Sequence, residues 1–404
     1  MKYLVVLGDG MADEKIPALG NKTCLQAAKT PNLDKLAPLS EVGLCKTVPQ
    51  GLKPGSDVAN MSVMGFNPNV YYTGRSPLEA ISMNIALGKN DVTLRCNLVT
   101  LSDAEPYEEK VMLDYSAGDI STEEAAELID CLKKNFDSEA FTLYAGMQYR
   151  HCLVIKDGNT GAKLTPPHDI SDKSVKGHLP EGVNSSIYRG IMEKSYRLLK
   201  DHPVNLKRIK EGKNPANSVW LWGEGTKPAL ENFEALRGLK GGVISAVDLV
   251  KGIGILAGLK IIEVDGITGN YDTNFSGKAN TAADELLNGL DFVYVHMEAP
   301  DECGHHGDYK NKVKSIELID EKVIGTIIKR FNDAGEDFAM LVCPDHPTPC
   351  AIKTHTSNPI PYLLYTNVKS LSNGAVRYTE DEAEKTGEYL PEGHKLIEKL
   401  FSIK

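Results

Sequence analysis

The chain has 404 residues, of which 41% are hydrophobic and 25% are charged, and its formal net charge is −10. This length and composition predict a globular protein of roughly two domains and argue against a disordered chain. The negative charge argues against a broad nucleic-acid surface, because phosphate backbones bind to clustered lysine and arginine side chains. It does not exclude a small anionic substrate, since bound divalent ions reverse the local electrostatic field.

The N-terminal segment MKYLVVLGDGMADEK has a short apolar run that is followed at once by acidic residues. Signal peptides and membrane spans need longer apolar runs, so we expect a cytoplasmic protein with no membrane partner. The eight cysteines include no C-x-x-C pair, which favours reduced thiols over a disulfide framework. They are Cys24, Cys45, Cys96, Cys131, Cys152, Cys303, Cys343 and Cys350.

Three strand-like apolar runs are each followed by acidic or histidine side chains. Asp9 follows KYLVVLG, Asp301 follows LDFVYVHM, and Asp345 and His346 follow DFAMLVC. Continuous apolar runs are typical of parallel strands that helices cover on both faces. Because ligands bind outside the carboxyl ends of such strands, we expect these four side chains to gather at one edge of the sheet.

Helical patterns lie between the strand-like runs. Residues 311–331 repeat apolar side chains every three or four positions, which predicts a helix with one buried stripe. The stripe consists of Ile316, Ile319, Val323, Ile327 and Phe331. The segment KTPNLDKLAPL predicts a second helix, with Thr30 as its N-cap and Pro31 at its first position. The segment GIGILA loosely matches a dinucleotide fingerprint, but it lies inside a helical pattern, so we interpret it as helix packing.

Alternating strands and helices predict an α/β fold with a parallel sheet core and helices on both faces. We expect residues 1–90 and 213–404 to form this core. Residues 91–212 mix strand and helix patterns with polar segments, and we expect them to form a smaller inserted α+β domain.

The stretch APDECGHHGD combines three acidic residues, two histidines and a cysteine, which indicates a metal site. Asp301 and His305 are four residues apart, so one helical turn would place both on the same face, while His306 would point elsewhere. Carboxylate oxygen and imidazole nitrogen together suit manganese, zinc or iron better than calcium. The alternative interpretation of this stretch is a solvated polar loop.

Further candidates come from two other segments. Ser56 stands between Gly55 and Asp57, and the apolar spacing after it predicts a helix that begins near Ser56. A helix N-terminus stabilises both an alkoxide and a phosphate, so Ser56 is a candidate nucleophile for phosphoryl transfer. His355 precedes another strand-like run and is a candidate metal ligand. Taken singly, Ser56 also fits a helix cap and His355 a surface histidine.

Seven motifs together resemble the archaeal-type cofactor-independent phosphoglycerate mutases of the alkaline phosphatase superfamily. They are GDGMAD, KPGSDVANMSVMGFNP, YYTGRSPLEA, RCNLVT, DECGHHGD, PDHPTP and KTHTSNPIPYLLY. The resemblance implies an alkaline-phosphatase-like core and a catalytic serine, Ser56, that carries the phosphoryl group. It implies one metal ion held by Asp301, His305 and His355. It implies a second ion held by Asp9, Asp345, His346 and the Ser56 oxygen.

The implied reaction interconverts 3-phosphoglycerate and 2-phosphoglycerate through a phosphoserine, as a step of glycolysis and gluconeogenesis. The implied cofactors are two divalent ions, with manganese favoured over zinc, magnesium or cobalt, and no 2,3-bisphosphoglycerate. The implied partner is a small phosphorylated substrate. Residues 91–212 would then act as a cap that excludes water and so prevents hydrolysis of the phosphoserine.

Two features leave alternatives open. The family commonly has a histidine four residues after the serine, where this chain has Asn60. Bacterial members of this class have also been described as proposed homoserine kinases, so a kinase acting on a small alcohol is an alternative, as is a metal-dependent phosphatase. The sequence contains no G-x-x-x-x-G-K-[ST] phosphate loop, which argues against a P-loop kinase.

The candidate substrate-binding residues are mostly cationic, because bidentate arginine groups suit phosphate and carboxylate. They are Arg75, Arg95, Asn97, Arg150, His151 and Lys251. For each of them, a surface or ion-pair role is the alternative interpretation.

Overall fold

The computed structural model describes every residue from Met1 to Lys404. Its strands are, in chain order, β1 Lys2–Gly8, β2 Glu41–Cys45, β3 Val92–Leu101, β4 Met112–Asp114, β5 Phe141–Tyr144, β6 Arg150–Ile155, β7 Ala162–Lys163, β8 Glu181–Gly182, β9 Ser218–Thr226, β10 Gly241–Ile244, β11 Lys260–Ile261, β12 Phe292–Met297, β13 Phe338–Cys343, β14 Ile360–Thr366 and β15 Tyr389–Leu390.

The α-helices are α1 Cys24–Ala27, α2 Pro31–Leu36, α3 Ser56–Val63, α4 Pro68–Tyr71, α5 Ser76–Ser82, α6 Thr122–Phe136, α7 Ser185–Leu199, α8 Pro203–Lys210, α9 Phe233–Arg237, α10 Asp248–Leu256, α11 Phe275–Leu287, α12 Ala299–His306, α13 Tyr309–Leu318, α14 Gly325–Ala334, α15 Glu380–Lys385 and α16 Leu396–Phe401. A π-helical segment, Ile319–Ile324, joins α13 to α14. Short 3-10 turns occupy Pro17–Leu19, Ala37–Leu39, Tyr107–Glu109, Pro167–Ile170 and Gly393–Lys395. No helix combines the length and the apolar character that crossing a membrane requires.

The chain divides into two compact units. Unit 1 comprises Met1–Tyr72 and Ala229–Lys404, and unit 2 comprises Thr73–Pro228. Both boundaries differ from the domains predicted from the sequence, because residues 73–90 and 213–228 belong to unit 2. These residues belong to unit 2 because β9 pairs along the length of β3, and α5 packs against both strands.

Unit 1 is built on an eight-stranded sheet in the order β11-β10-β12-β1-β13-β14-β2-β15. β14 runs antiparallel to both of its neighbours, and the other pairs are parallel. This mostly parallel sheet confirms the predicted α/β class. Leu4 and Val6 face a core that includes the side chains of α11 and α14, whereas Tyr3 packs against Phe401 of α16 on the opposite face. Helices therefore cover both faces, as the apolar runs predict.

The helical pattern of residues 311–331 is confirmed, with the π-helical segment in its middle. All five side chains of the predicted stripe are at most 1% exposed. α2 begins at Pro31 as predicted, but the Thr30 side chain makes no capping hydrogen bond. Instead the carboxylate of Asp320, in the π-helical segment, accepts hydrogen bonds from the main-chain N–H groups of Asn32 and Leu33. GIGILA lies within α10 and its following turn, so its interpretation as a helix is also confirmed.

Unit 2 contains an antiparallel sheet in which β3 is bonded to β6, to β9 and, at its C-terminal end, to β4, while β5 adds to β6. α6 and α7 pack on this sheet around buried side chains such as Leu128, Tyr188 and Trp220. The eight cysteines of the two units are all free thiols, as predicted.

Candidate functional site

The carboxyl ends of β12, β1 and β13 lie side by side because these three strands are adjacent and parallel. Asp9, Asp301 and Asp345 follow these strands, so the expected gathering of acidic side chains occurs at this edge. β14 runs in the opposite direction, and the segment that precedes it therefore starts from the same edge. This segment carries His355, which reaches the site only because β14 is antiparallel.

We name Asp301, His305 and His355 the outer group. The helix α12 places Asp301 and His305 one turn apart, with His305 Nε2 3.2 Å from Asp301 Oδ2. His355 Nε2 lies 3.4 Å from Asp301 Oδ1 and 2.8 Å from His305 Nε2. His306 is exposed, as the helical spacing predicts.

The ring orientations in the outer group direct Nε2 of His305 and Nε2 of His355 towards the carboxylate of Asp301. Nδ1 of His305 is 3.1 Å from the Lys353 carbonyl oxygen, and Nδ1 of His355 is 3.2 Å from the Pro54 carbonyl oxygen. A carbonyl only accepts, so each Nδ1 carries a proton. Each Nε2 faces Asp301, to which it donates when protonated, and offers its lone pair to a metal ion when neutral. Histidines that ligate metals are commonly oriented in this way.

We name Asp9, Ser56, Asp345 and His346 the inner group. His346 Nε2 lies 3.7 Å from Asp9 Oδ1, 3.3 Å from Asp345 Oδ2 and 3.1 Å from Ser56 Oγ. The side chains of Asp9, Asp345 and His346 are fully buried, and Ser56 is 6% exposed. Ser56 is the first residue of α3, as predicted, and Gly55 is its N-cap.

Gly10 holds the two groups close together. Its φ of +60° and its surroundings both require glycine, because a Cβ there would lie 2.5 Å from Asp301 Oδ1 and 2.8 Å from the Asp301 Cα. Its main-chain N–H donates to Asp345 Oδ1 at 3.1 Å. One glycine therefore allows the turn after β1 to touch both an outer and an inner carboxylate.

The inner group is electrostatically unfavourable as a set of bare protein groups. Burial, together with the charges of Asp345, Glu298 and Asp301, raises the pKa of Asp9 well above its usual range. Asp9 Oδ1 is buried and has no hydrogen-bond partner. A divalent cation among these atoms would satisfy this oxygen and reverse the repulsion, so the residues present fit a metal ion.

In the outer group the pKa of the carboxylate shifts in the opposite direction to that of Asp9. Burial alone would raise the pKa of Asp301, but hydrogen bonds from His305 and His355 outweigh it and hold this pKa well below its usual range. Burial lowers the pKa of His305, yet its hydrogen bond to Asp301 and the charge of that carboxylate raise it to about 9. A proton shared with imidazole therefore compensates the negative charge of the Asp301 carboxylate.

His296 and Glu298 join the site without having been predicted. His296 Nε2 is 2.8 Å from Asp9 Oδ2 and 3.5 Å from Glu298 Oε2, which has no hydrogen-bond partner. With Asp9 they form a group whose donor atoms lie within 4.8 Å of one another. Burial and the charge of Lys278 lower the pKa of His296 to about 3. The available signal was a histidine inside the otherwise apolar run of β12.

A further group, Asp13, Cys24 and Cys350, also has closely spaced donor atoms. Here Lys312 is fully buried and its ammonium group lies 2.8 Å from Asp13 Oδ2. The same ammonium donates to the main-chain oxygens of Ala12 and Thr348. The negative charge already has its counter-ion, so this group fits a buried ion pair.

The predicted substrate-binding residues of unit 2 are only partly brought together. Arg75 and Arg95 both pair with Glu79, at 3.0 Å and 2.9 Å. The Arg95 guanidinium also lies 4.3 Å from the ring centroid of Trp222, whose indole N–H donates to Asn97 Oδ1 at 3.0 Å. Despite burial, these arginines keep the pKa of Glu79 below its usual value.

Arg150 and His151 lie on opposite faces of the unit 2 sheet. Arg150 pairs in register with Asn97 and is exposed, and its charge also lowers the pKa of Glu79. His151 pairs with Cys96, and adjacent strand residues point to opposite faces, so its side chain faces away from Asn97. Burial lowers the pKa of His151 to about 3. The structure therefore separates His151 from the arginine cluster.

Lys251 is placed in unit 1 on α10. Its ammonium group pairs with Glu263 at 3.3 Å, and its side chain is 20% exposed.

Comparisons with known proteins identify the family to which the chain belongs. Residues 37–205 match the sequence model of the family described as 2,3-bisphosphoglycerate-independent phosphoglycerate mutase. A curated protein of that name from Methanosarcina barkeri is 49% identical over 406 aligned residues that cover 100% of both chains. The chain belongs to this phosphoglycerate mutase family.

Two solved structures are also similar along the whole chain. The cofactor-independent phosphoglycerate mutase from Thermoplasma acidophilum is 25% identical, covers 100% of both chains and has a TM-score of 0.65. A protein from Pyrococcus horikoshii is 29% identical, covers 99% of this chain and 96% of its own, and has a TM-score of 0.82. The kinase and phosphatase alternatives gain no support from these relatives.

Proposed function

We propose that this protein interconverts 3-phosphoglycerate and 2-phosphoglycerate through a phosphoserine on Ser56, with divalent ions bound by the outer and inner groups. The observation that carries the proposal is the position of Ser56. Its hydroxyl lies at the N-terminus of an eight-residue helix and 3.1 Å from His346 Nε2, within the inner group. A serine in this setting is a candidate nucleophile and not merely a helix cap.

The helix α3 supports the chemistry of Ser56 directly. Its unpaired N–H groups and its dipole favour negative charge at its first turn. They would stabilise the Ser56 oxygen as it loses its proton and the phosphoryl group that it then carries. Burial of Ser56 limits the access of water to the phosphoserine.

The metal ligands are proposed from donor chemistry and mutual distance. Asp301, His305 and His355 would hold one ion, and Asp9, Asp345, His346 and the Ser56 oxygen would hold the other. Mixed carboxylate and imidazole donors favour manganese, with zinc, magnesium and cobalt as alternatives. Such ions supply Lewis-acid neutralisation of phosphoryl oxygens and lower the pKa of a coordinated hydroxyl.

The arginines of unit 2 are proposed to bind the anionic substrate. Three guanidinium groups, those of Arg75, Arg95 and Arg150, act on the carboxylate of Glu79 and so concentrate positive charge on this face of the sheet. Planar guanidinium groups suit both the phosphate and the carboxylate of phosphoglycerate. Asn97, held by Trp222, belongs to the same face, whereas His151 lies on the opposite face and Lys251 belongs to unit 1.

The test follows the phosphate of labelled 3-phosphoglycerate into protein, product and solvent, with added manganese and without 2,3-bisphosphoglycerate or nucleotide. We expect the label in 2-phosphoglycerate and transiently on Ser56. Label found mainly in free phosphate would indicate a phosphatase and would also contradict a water-excluding cap. Transfer only in the presence of ATP would indicate the kinase. The cytoplasmic location and the cap both remain predictions.

A further inference from the structure

Asn60 is the centre of a buried hydrogen-bond network in the inner group. It is 0% exposed and lies one turn after Ser56 on α3. Its Nδ2 donates to Asp345 Oδ2 at 2.9 Å and to the Ser56 carbonyl oxygen at 2.9 Å, and its Oδ1 accepts from the Tyr294 hydroxyl at 2.7 Å. The amide therefore links the nucleophile's helix, a predicted metal ligand and strand β12.

Tyr294 determines the orientation of this amide. A carboxylate and a carbonyl can only accept hydrogen bonds, so the Asn60 NH2 group must face Asp345 and Ser56. The amide oxygen then points at Tyr294, whose phenol has to be the donor. Burial raises the pKa of Tyr294 well above its usual range, so the phenol keeps its proton.

The hydrogen bonds to Asp345 leave little freedom for its carboxylate. Oδ1 accepts from the main-chain N–H groups of Gly10 at 3.1 Å and His346 at 2.8 Å. Oδ2 accepts from Asn60 and lies 3.3 Å from His346 Nε2. Because each carboxylate oxygen offers two acceptor sites, Oδ1 is fully used and one site remains on Oδ2.

We propose that Asn60 and Tyr294 are positioning residues, which fix Asp345 as a metal ligand through the single oxygen Oδ2 and tie it to the Ser56 end of α3. This inference rests on the proposed function, because it assigns the inner group to a metal ion. It concerns ligand geometry, so its main readout is metal binding and not turnover.

The amide suits this task better than the histidine that the family commonly has at this position. A neutral imidazole has one donor and one acceptor, so it could bond to Tyr294 and to Asp345 but would have no donor left for the Ser56 carbonyl. Asn60 has two donors and one acceptor in use, which matches its three partners.

Tyr294→Phe tests the pair because it removes only the hydroxyl that orients the amide. We expect the dissociation constant of the Mn2+ held by the inner group to rise about 10-fold or more in a titration of chelator-treated protein. The stabilisation of the folded protein by Mn2+, measured as the shift in Tm, should shrink accordingly. The matched control is Tyr378→Phe, which removes another buried hydroxyl, 3.0 Å from the Pro361 carbonyl. Its metal affinity should equal that of the wild type.

Asn60→Leu gives a second test with a side chain of similar size and no hydrogen bonds. If Tyr294 acts through Asn60, the double variant should bind Mn2+ no more weakly than Asn60→Leu alone. Additive effects would overturn the proposed pair. Should Tyr294→Phe fail to fold, Asn60→Leu with the same Mn2+ titration still decides whether Asp345 depends on the amide.

The outcomes separate this inference from the proposed function. Unchanged Mn2+ affinity in both single variants would overturn the positioning role even if the wild type is an active mutase. Weaker Mn2+ binding in both variants would support the role even if the wild type transfers no phosphate between glycerate hydroxyls.

Discussion

The outer and inner groups use similar side chains but differ in burial and in internal compensation. The side chain of His305 is 35% exposed and that of His355 is 15% exposed, whereas Asp9, Asp345 and His346 are fully buried. The outer carboxylate is bonded to two imidazoles, while Asp9 Oδ1 in the inner group has no partner. Hence a proton on imidazole compensates the outer carboxylate, whereas in the inner group burial and the neighbouring carboxylates raise the pKa of Asp9 when no cation is present.

This difference predicts unequal affinities for the two proposed ions. Removing an ion from the outer group costs little beyond its own ligand bonds, because Asp301 and His305 then form a charged pair. Removing one from the inner group leaves buried carboxylates facing each other, which is strongly unfavourable. We expect the inner ion to be retained longer during dialysis against a chelator.

The largest effect should come from Ser56→Ala. It removes the proposed nucleophile, so phosphoenzyme formation should vanish and turnover should fall by about 10³-fold or more. Both ions should still bind, because the six carboxylate and imidazole ligands remain. Intact-protein mass spectrometry after mixing with 3-phosphoglycerate measures the phosphoenzyme. A Ser56→Ala protein that still becomes phosphorylated would place the nucleophile elsewhere.

Asp345→Ala should break the inner group selectively. The change deletes an anionic ligand and leaves the Asn60 amide and two main-chain N–H donors unpaired, so we expect loss of the tightly held ion and about a 10²-fold or greater loss of turnover. Elemental analysis after dialysis should find roughly one ion fewer per chain than in the wild type. Retention of both ions would contradict the assignment of Asp345.

His305→Ala should weaken the outer group and have a smaller effect, about 10- to 100-fold on turnover, which excess Mn2+ should partly restore. His306→Ala is the matched control, because it removes the neighbouring imidazole from the same helix but at an exposed position. Turnover of that variant should stay within about twofold of the wild type. The reverse ranking of these two variants would overturn the helical-face argument.

The smallest predicted effect concerns the metal-free protein. The folded-state pKa of His305 is raised to about 9 from an ordinary value of 6.5, so the folded state binds its proton more tightly. Its contribution to stability is fully present below pH 6.5 and is lost as the pH rises through about 9. Urea unfolding of chelator-treated protein across this range should show falling stability. His305→Ala should lose this dependence, and an unchanged slope would refute its origin.

The sequence could predict the features that depend on local pattern. Apolar runs located the strand ends that carry Asp9 and Asp345, and helical spacing paired Asp301 with His305. The family resemblance supplied the division into two ligand sets, which the distances at the sheet edge now support.

What the sequence could not supply depends on contacts between distant segments. The unit boundaries differ from the predicted ones because pairing of β9 with β3 draws residues 213–228 into unit 2. His296 was missed because a histidine in an apolar run does not reveal its partners, Asp9 and Glu298, until the fold is known. The partner of Asn60 is Tyr294, more than two hundred positions away, and no periodicity connects them.

The order of the strands in unit 1 has a consequence for how the chain folds as it is synthesised. β1 is the first strand to be made, yet both of its neighbours, β12 and β13, come from the last third of the chain. Unit 2 is continuous in sequence, so its own sheet can be completed while β1 still lacks partners. Long chain segments separate β1 from its neighbours. Bringing their ends together costs conformational entropy, which slows this pairing. The nascent N-terminal strand therefore lacks both of its sheet neighbours for most of translation.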